Sequence, residues 1–134
     1  MKNNFINEIS LRGFFHQCTD KDKLTSLINN KSIKAYIGFD CTAPSLHVGS
    51  LLQIMCLRLL QKYGHKPIIL LGGGTTLIGD PSGKDATRKI LEEKTIDNNI
   101  KKIKKIFEKL LNFKDKETMP IFVNNAEWLN KLKY

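Results

Sequence analysis

Two short apolar runs, Ile33 to Phe39 and Pro67 to Leu71, each break off into glycines and small polar residues, and this pairing constrains the fold most. Runs of that length, rich in apolar side chains and closed by glycine, read as buried strands of a parallel sheet. The first continues into YIGFDCTAPSLHVGS, Tyr36 to Ser50, and the second leads through Gly72-Gly73-Gly74 towards GDPSGKDATR, Gly79 to Arg88. Backbone-permissive, polar residues at the carboxyl ends of neighbouring strands are how an α/β protein builds a nucleotide site.

The stretches between them read as helices. Phe5 to Gln17 predicts a short helix interrupted at Gly13, and Thr19 or Asp20 is placed to cap a second through Leu24, Leu27 and Ile28. A third starts near Leu46, with Leu51, Leu52, Met55, Leu59 and Leu60 as its expected inner face, and stops at Gly64. Gly72, Gly73 and Gly74 are expected to turn the chain, and Pro81 to Lys89, without an apolar period, reads as a mobile loop. Thr95 to Leu111 carries Ile96, Ile100, Ile103, Phe107 and Leu110 at helical spacing, with Lys101, Lys102, Lys104, Lys105 and Lys109 on the other face. Pro120 to Val123 is the third strand, and Asn124 or Asn125 is placed to cap a helix containing Trp128. Three strands separated by helices imply a Rossmann-like parallel sheet with right-handed crossovers. A doubly wound fold needs strands on both sides of its crevice, so residues 1–134 are expected to be the front of a longer catalytic domain.

The formal net charge of +9 invites a nucleic-acid reading, but only Arg12, Arg58 and Arg88 of the 22 basic residues are arginine. Abundant Lys, Ile and Asn point as much to a coding bias, and a lysine face on an amphipathic helix is ordinarily solvated. Cys18, Cys41 and Cys56 form no CxxC pair, which argues against a zinc site or a disulfide framework. The N-terminus lacks an apolar signal core and no run is long enough to span a membrane, so the expected location is the cytoplasm.

His47-Val48-Gly49-Ser50 opens the third helix, where the positive helix end favours phosphate. Gly49 removes a Cβ that would block a ribose or base, and Thr42, five residues before His47, can face the same phosphate. Taken alone, His47 reads equally well as a simple helix cap. Gly79 to Lys84 resembles a P-loop but has three residues, not four, between its glycines, and Asp85 follows the lysine, so that reading fails.

Together these stretches resemble tyrosyl-tRNA synthetases of the bacterial and mitochondrial type. The likeness runs from Arg12 to Trp128 and rests on RGFFHQCTD, YIGFDCTAPSLHVGS, GHKPIILLGGGTTLIGDPSGK and NNAEWL, in the family's order. The resemblance implies a class I ligase that activates L-tyrosine with ATP and Mg²⁺ and passes the tyrosyl group to tRNA(Tyr), as a homodimer. It implies that Tyr36 meets the substrate phenol and Asp80 its ammonium group. It implies that Gly38, Asp40, Gly49 and Ser50 line the adenylate pocket, and that Thr42 and His47 grip the pyrophosphate with Lys84 and Arg88. Ser50 stands where the family signature ends in histidine. The family's KMSKS-type lysine loop, its later phenol-binding residues and its tRNA-binding domain are absent from these 134 residues, which alone are expected to be inactive or very weak. The competing reading is a non-catalytic remnant, at most a basic RNA- or nucleotide-binding module.

Overall fold

A computed structural model describes residues 5–78 and 92–132. Its elements run α1 (Phe5–Leu11), α2 (Lys21–Asn30), β1 (Lys34–Asp40), α3 (Val48–Lys62), β2 (Lys66–Gly72), α4 (Gly73–Ile78), α5 (Glu93–Leu110), β3 (Ile121–Asn124) and α6 (Ala126–Leu129). The three strands form one parallel sheet in the order β1-β2-β3. Tyr36 pairs with Ile68, Asp40 with Gly72, and Leu71 with Asn124, so the three carboxyl ends finish level. The expected α/β sheet with flanking helices is therefore what the chain forms.

Local chemistry explains most boundaries. The Asp20 carboxylate accepts the Lys23 amide at 2.9 Å and starts α2. Gly13 and Gly64 have φ of 74° and 82°, a region open to glycine at little cost. The amides of Gly64 and His65 return to the carbonyls of Gln61 and Leu60, which satisfies the last turn of α3. Gly13 and Phe14 end α1 in the same way, on Ser10 and Ile9, so that helix stops at Leu11 rather than reaching Gln17.

Moving one strand at a time in one direction, right-handed crossovers lay α3 and α5 on the same face of the sheet. There Phe39, Ile54, Leu57, Ile69, Leu71, Ile96, Ile100, Ile103 and Phe107 make the main core. Phe107 is wholly buried, with its ring edge-on to Phe39 at 4.8 Å between centroids. A smaller cluster of Phe5, Ile6, Ile28, Leu59 and Leu60 docks α1 and α2. Two expectations are corrected. The buried apolar residues of α3 are Ile54, Leu57, Leu59 and Leu60, whereas Leu51 and Leu52 are exposed. That helix is apolar around most of its circumference, so spacing alone does not choose its inner face. The three glycines, in turn, do not simply turn the chain, because Gly73 and Gly74 open α4 directly from β2. The loop expected over Pro81 to Lys89 lies outside the described residues.

His65, just before β2, is only 1% exposed and stands edge-on to Phe5. Burial pushes its pKa below the ordinary 6.5. The unfolded chain therefore takes up this proton before the native one does. Stability contributed by neutral His65 is full above about pH 6.5 and is lost as pH falls towards the native value. Urea unfolding of the 134-residue chain between pH 7.5 and 5 should lose stability by up to about 1.4 kcal/mol per pH unit. His65→Gln should remove that slope; an unchanged slope would assign it elsewhere. Glu8 and Asp115, lowered from 4.5 and 3.8 mainly by hydrogen bonds from Tyr63 and the Glu117 amide, act at more acid pH than this window.

Candidate active site

Alternate residues of a strand share a face, so Tyr36, Gly38 and Asp40 line one side of β1. All three are exposed, Tyr36 by 67%, on the side away from α3 and α5. Among the described residues, a Cβ built on Gly38 would meet only Leu70 Cδ2, at 4.0 Å, so none of them requires glycine at that position. Gly38→Ala should thus leave the thermal midpoint of the chain unchanged or slightly raised, by the ~0.4–1 kcal/mol that lost chain entropy contributes. The resemblance implies that Gly38 lines a ligand pocket, and unchanged ligand binding in titration calorimetry of alanine and then valine variants of the full-length protein would remove it from that role.

Beyond β1 the connection to α3 carries Thr42 and His47, both exposed. His47 is the N-cap of α3, and its Nδ1 accepts the Gly49 amide at 3.1 Å. An accepting Nδ1 bears no proton, so the neutral ring carries its hydrogen on Nε2 and has a donor to spare. A Cβ on Gly49 would stand 2.8 Å from His47 Cε1, so the missing side chain makes room for this ring. Ser50 is 5% exposed, and its amide donates to the His47 carbonyl and so closes the first turn of α3. Cys41, by contrast with its exposed neighbours, is wholly buried, and burial pushes its thiol up to about 11, which takes it out of nucleophilic chemistry.

The tips of β2 and β3 are knitted together. Asn125 does not cap α6 with its side chain; its Oδ1 accepts the Gly74 amide at 2.7 Å and its Nδ2 donates to Thr75 Oγ1 at 3.1 Å. Asn124 Oδ1 takes the Ala126 amide instead. A Cβ on Gly73 would run into the Asn124 amide, and one on Gly74 would lie 3.1 Å from Ala126 Cα. Glycine here is needed by the protein itself, in contrast to Gly38. Asp80, Lys84 and Arg88 lie outside the described residues. Asn99 and Thr76 were not singled out from sequence, and Asn125 only as a candidate cap for its own helix; the available signal for Asn99 was a polar residue on the apolar stripe of α5.

A separate cleft of about 760 Å³ lies at the opposite end of the helices, lined by Arg12, Arg58, Gln61, Lys62 and Lys109 among others, and contains none of the expected site residues. No described helix is long and apolar enough to cross a membrane, and no group of three metal-ligating side chains occurs among the described residues.

Residues 28–134 match the family model for class I tRNA synthetases (W and Y). The chain is 64% identical over 132 residues to a tyrosine–tRNA ligase of Pelagibacter ubique, and 57% identical over 130 residues to one of Rickettsia bellii. These matches cover 98% and 97% of this chain but 32% of either relative, so the chain spans about a third of their length. Among solved structures it is similar to a C-terminally truncated mitochondrial tyrosyl-tRNA synthetase of Aspergillus nidulans, with TM-score 0.79 and 27% identity over 96% of this chain and 39% of that one. The corresponding Coccidioides posadasii structure gives TM-score 0.75 and 32% identity, over 96% of this chain and 37% of that one.

Proposed function

Because this chain belongs to the class I tRNA synthetases of the W and Y group, we propose that it supplies one side of the tyrosine-activating site of a tyrosine–tRNA ligase. The observation that carries this reading is the row of exposed Tyr36, bare Gly38 and Asp40 on one side of β1, followed along the chain by exposed Thr42 and by His47 at the start of α3. On this reading residues 1–134 are the N-terminal portion of a catalytic domain in a homodimeric, cytoplasmic enzyme, and tRNA(Tyr) is bound mainly by other parts.

The chemistry asks for placement and charge stabilisation. Tyrosine's carboxylate oxygen attacks the α-phosphorus of Mg²⁺–ATP; that bond forms as the bond to the bridging oxygen breaks, and pyrophosphate leaves with the negative charge. Tyr36 hydrogen-bonds the phenol, and Asp80 pairs with the ammonium group. Thr42 Oγ1 and His47 Nε2 donate to the departing phosphates as their charge grows, with Lys84 and Arg88 as cationic partners. A ribose hydroxyl of tRNA then takes the tyrosyl group and AMP departs.

Tyrosine-dependent ATP–pyrophosphate exchange tests the reading. A full-length ligase carrying this chain should exchange label with tyrosine and not with tryptophan, and the 134 residues alone should fall far below it. Exchange driven by tryptophan, or none by the full-length protein, would overturn the proposal.

A further inference from the structure

The geometry points to Thr76 and Asn99 as positioning residues that set where Thr42 stands, an assignment that rests on the ligase reading above. Asp40, opposite Gly72, is the last paired residue of β1. At the next residue, Cys41, side chains from two different helices take both main-chain groups. The Cys41 N–H donates to Thr76 Oγ1 of α4 at 3.1 Å, and Asn99 Nδ2 of α5 donates to the Cys41 carbonyl at 2.9 Å. Asn99 is 4% exposed, so this hydrogen bond is shielded from water. With the Cys41 side chain also buried, the chain leaves the sheet in one direction, and Thr42 follows one residue later.

A preorganised donor acts only if it already stands where charge develops. Thr42 is exposed and on a connection without regular structure, so its placement comes from what holds Cys41. Removing either hold should let Thr42 drift without emptying the tyrosine pocket, which is built on β1 itself.

Single-turnover adenylate formation at saturating tyrosine and Mg²⁺–ATP, in a full-length ligase carrying this chain, tests the assignment. Thr76→Val keeps the branched shape and removes the acceptor. It should slow adenylate formation about 10–100-fold, as an ångström of misplacement does, with the KM for tyrosine unchanged. Thr76→Ser restores the hydroxyl and should restore the rate. Asn99→Leu should slow the step likewise; Thr76, only partly buried, decides the matter whatever Asn99→Leu does to folding. Thr76→Val at the parent rate, or Thr76→Ser as slow as Thr76→Val, would overturn the assignment. An unsubstituted parent that forms no adenylate would overturn the ligase reading, and this inference with it.

Discussion

Replacing His47 with alanine in a full-length ligase carrying this chain should lower the rate constant of adenylate formation by about 100–1,000-fold, with tyrosine and ATP affinities almost unchanged. The split follows from when the contact is made. Charge accumulates on the leaving phosphates only as the α–β bond breaks, so a donor aimed there acts on the transition state more than on the bound substrates. His47 also caps α3 through Nδ1, and alanine removes both roles at once. Loss of a cap costs ~0.5–2 kcal/mol of stability. His47→Ser separates the two. Serine is among the best caps, but its hydroxyl is too short to reach where Nε2 reached. It should melt like the unsubstituted protein and form adenylate as slowly as His47→Ala. A His47→Ser enzyme with an unimpaired single-turnover rate would leave the histidine as a helix cap and nothing more.

Phe107→Ala should destabilise the 134-residue chain by about 3–5 kcal/mol. The ring is wholly buried and meets Phe39 and Phe122 edge-on, with centroids at 4.8 and 6.0 Å. Its removal costs the transfer of an aromatic side chain and opens a cavity between α5 and both outer strands. A domain of this size has roughly 5–15 kcal/mol to lose, so the variant should be near the edge of folding. Urea denaturation at pH 7.5 measures it, with Lys105→Ala, on the exposed side of the same helix, as the near-neutral comparison. A loss below about 1 kcal/mol would mean that the core is not built around this ring.

Wherever one element satisfied its own boundary, the sequence was readable. Asp20, Gly64, the three strands and the apolar stripe of α5 all obey rules that span a few residues. What escaped depends on partners far along the chain. The amide that opens α4 is capped by Asn125, 51 residues away, and Cys41 is held by groups 35 and 58 residues away. No local capping pattern encodes those bonds, so the glycine triplet looked like a turn and Asn125 like a cap for its own helix. The site divides in the same way. Tyr36, Gly38 and Asp40 were picked out only through the family resemblance, and His47 also as a residue at a helix start. The room that Gly49 leaves for the His47 ring, and the inward turn of Ser50, emerge only once α3 has its registry against the sheet.

The spatial order β1-β2-β3 is also the order of translation. No strand has to be inserted between two that are already paired, so each can dock on its predecessor as it leaves the ribosome. β1, α3 and β2 make the first closed unit, and α5 then delivers β3 to the free side of β2. Between those two events the outer edge of β2 offers unpaired N–H and C=O groups to any extended chain nearby. The interval is set by the time needed to synthesise the residues from Gly73 to Pro120. Slowing elongation across that stretch lengthens the exposure, and with it the opportunity for two nascent chains to pair in place of β3.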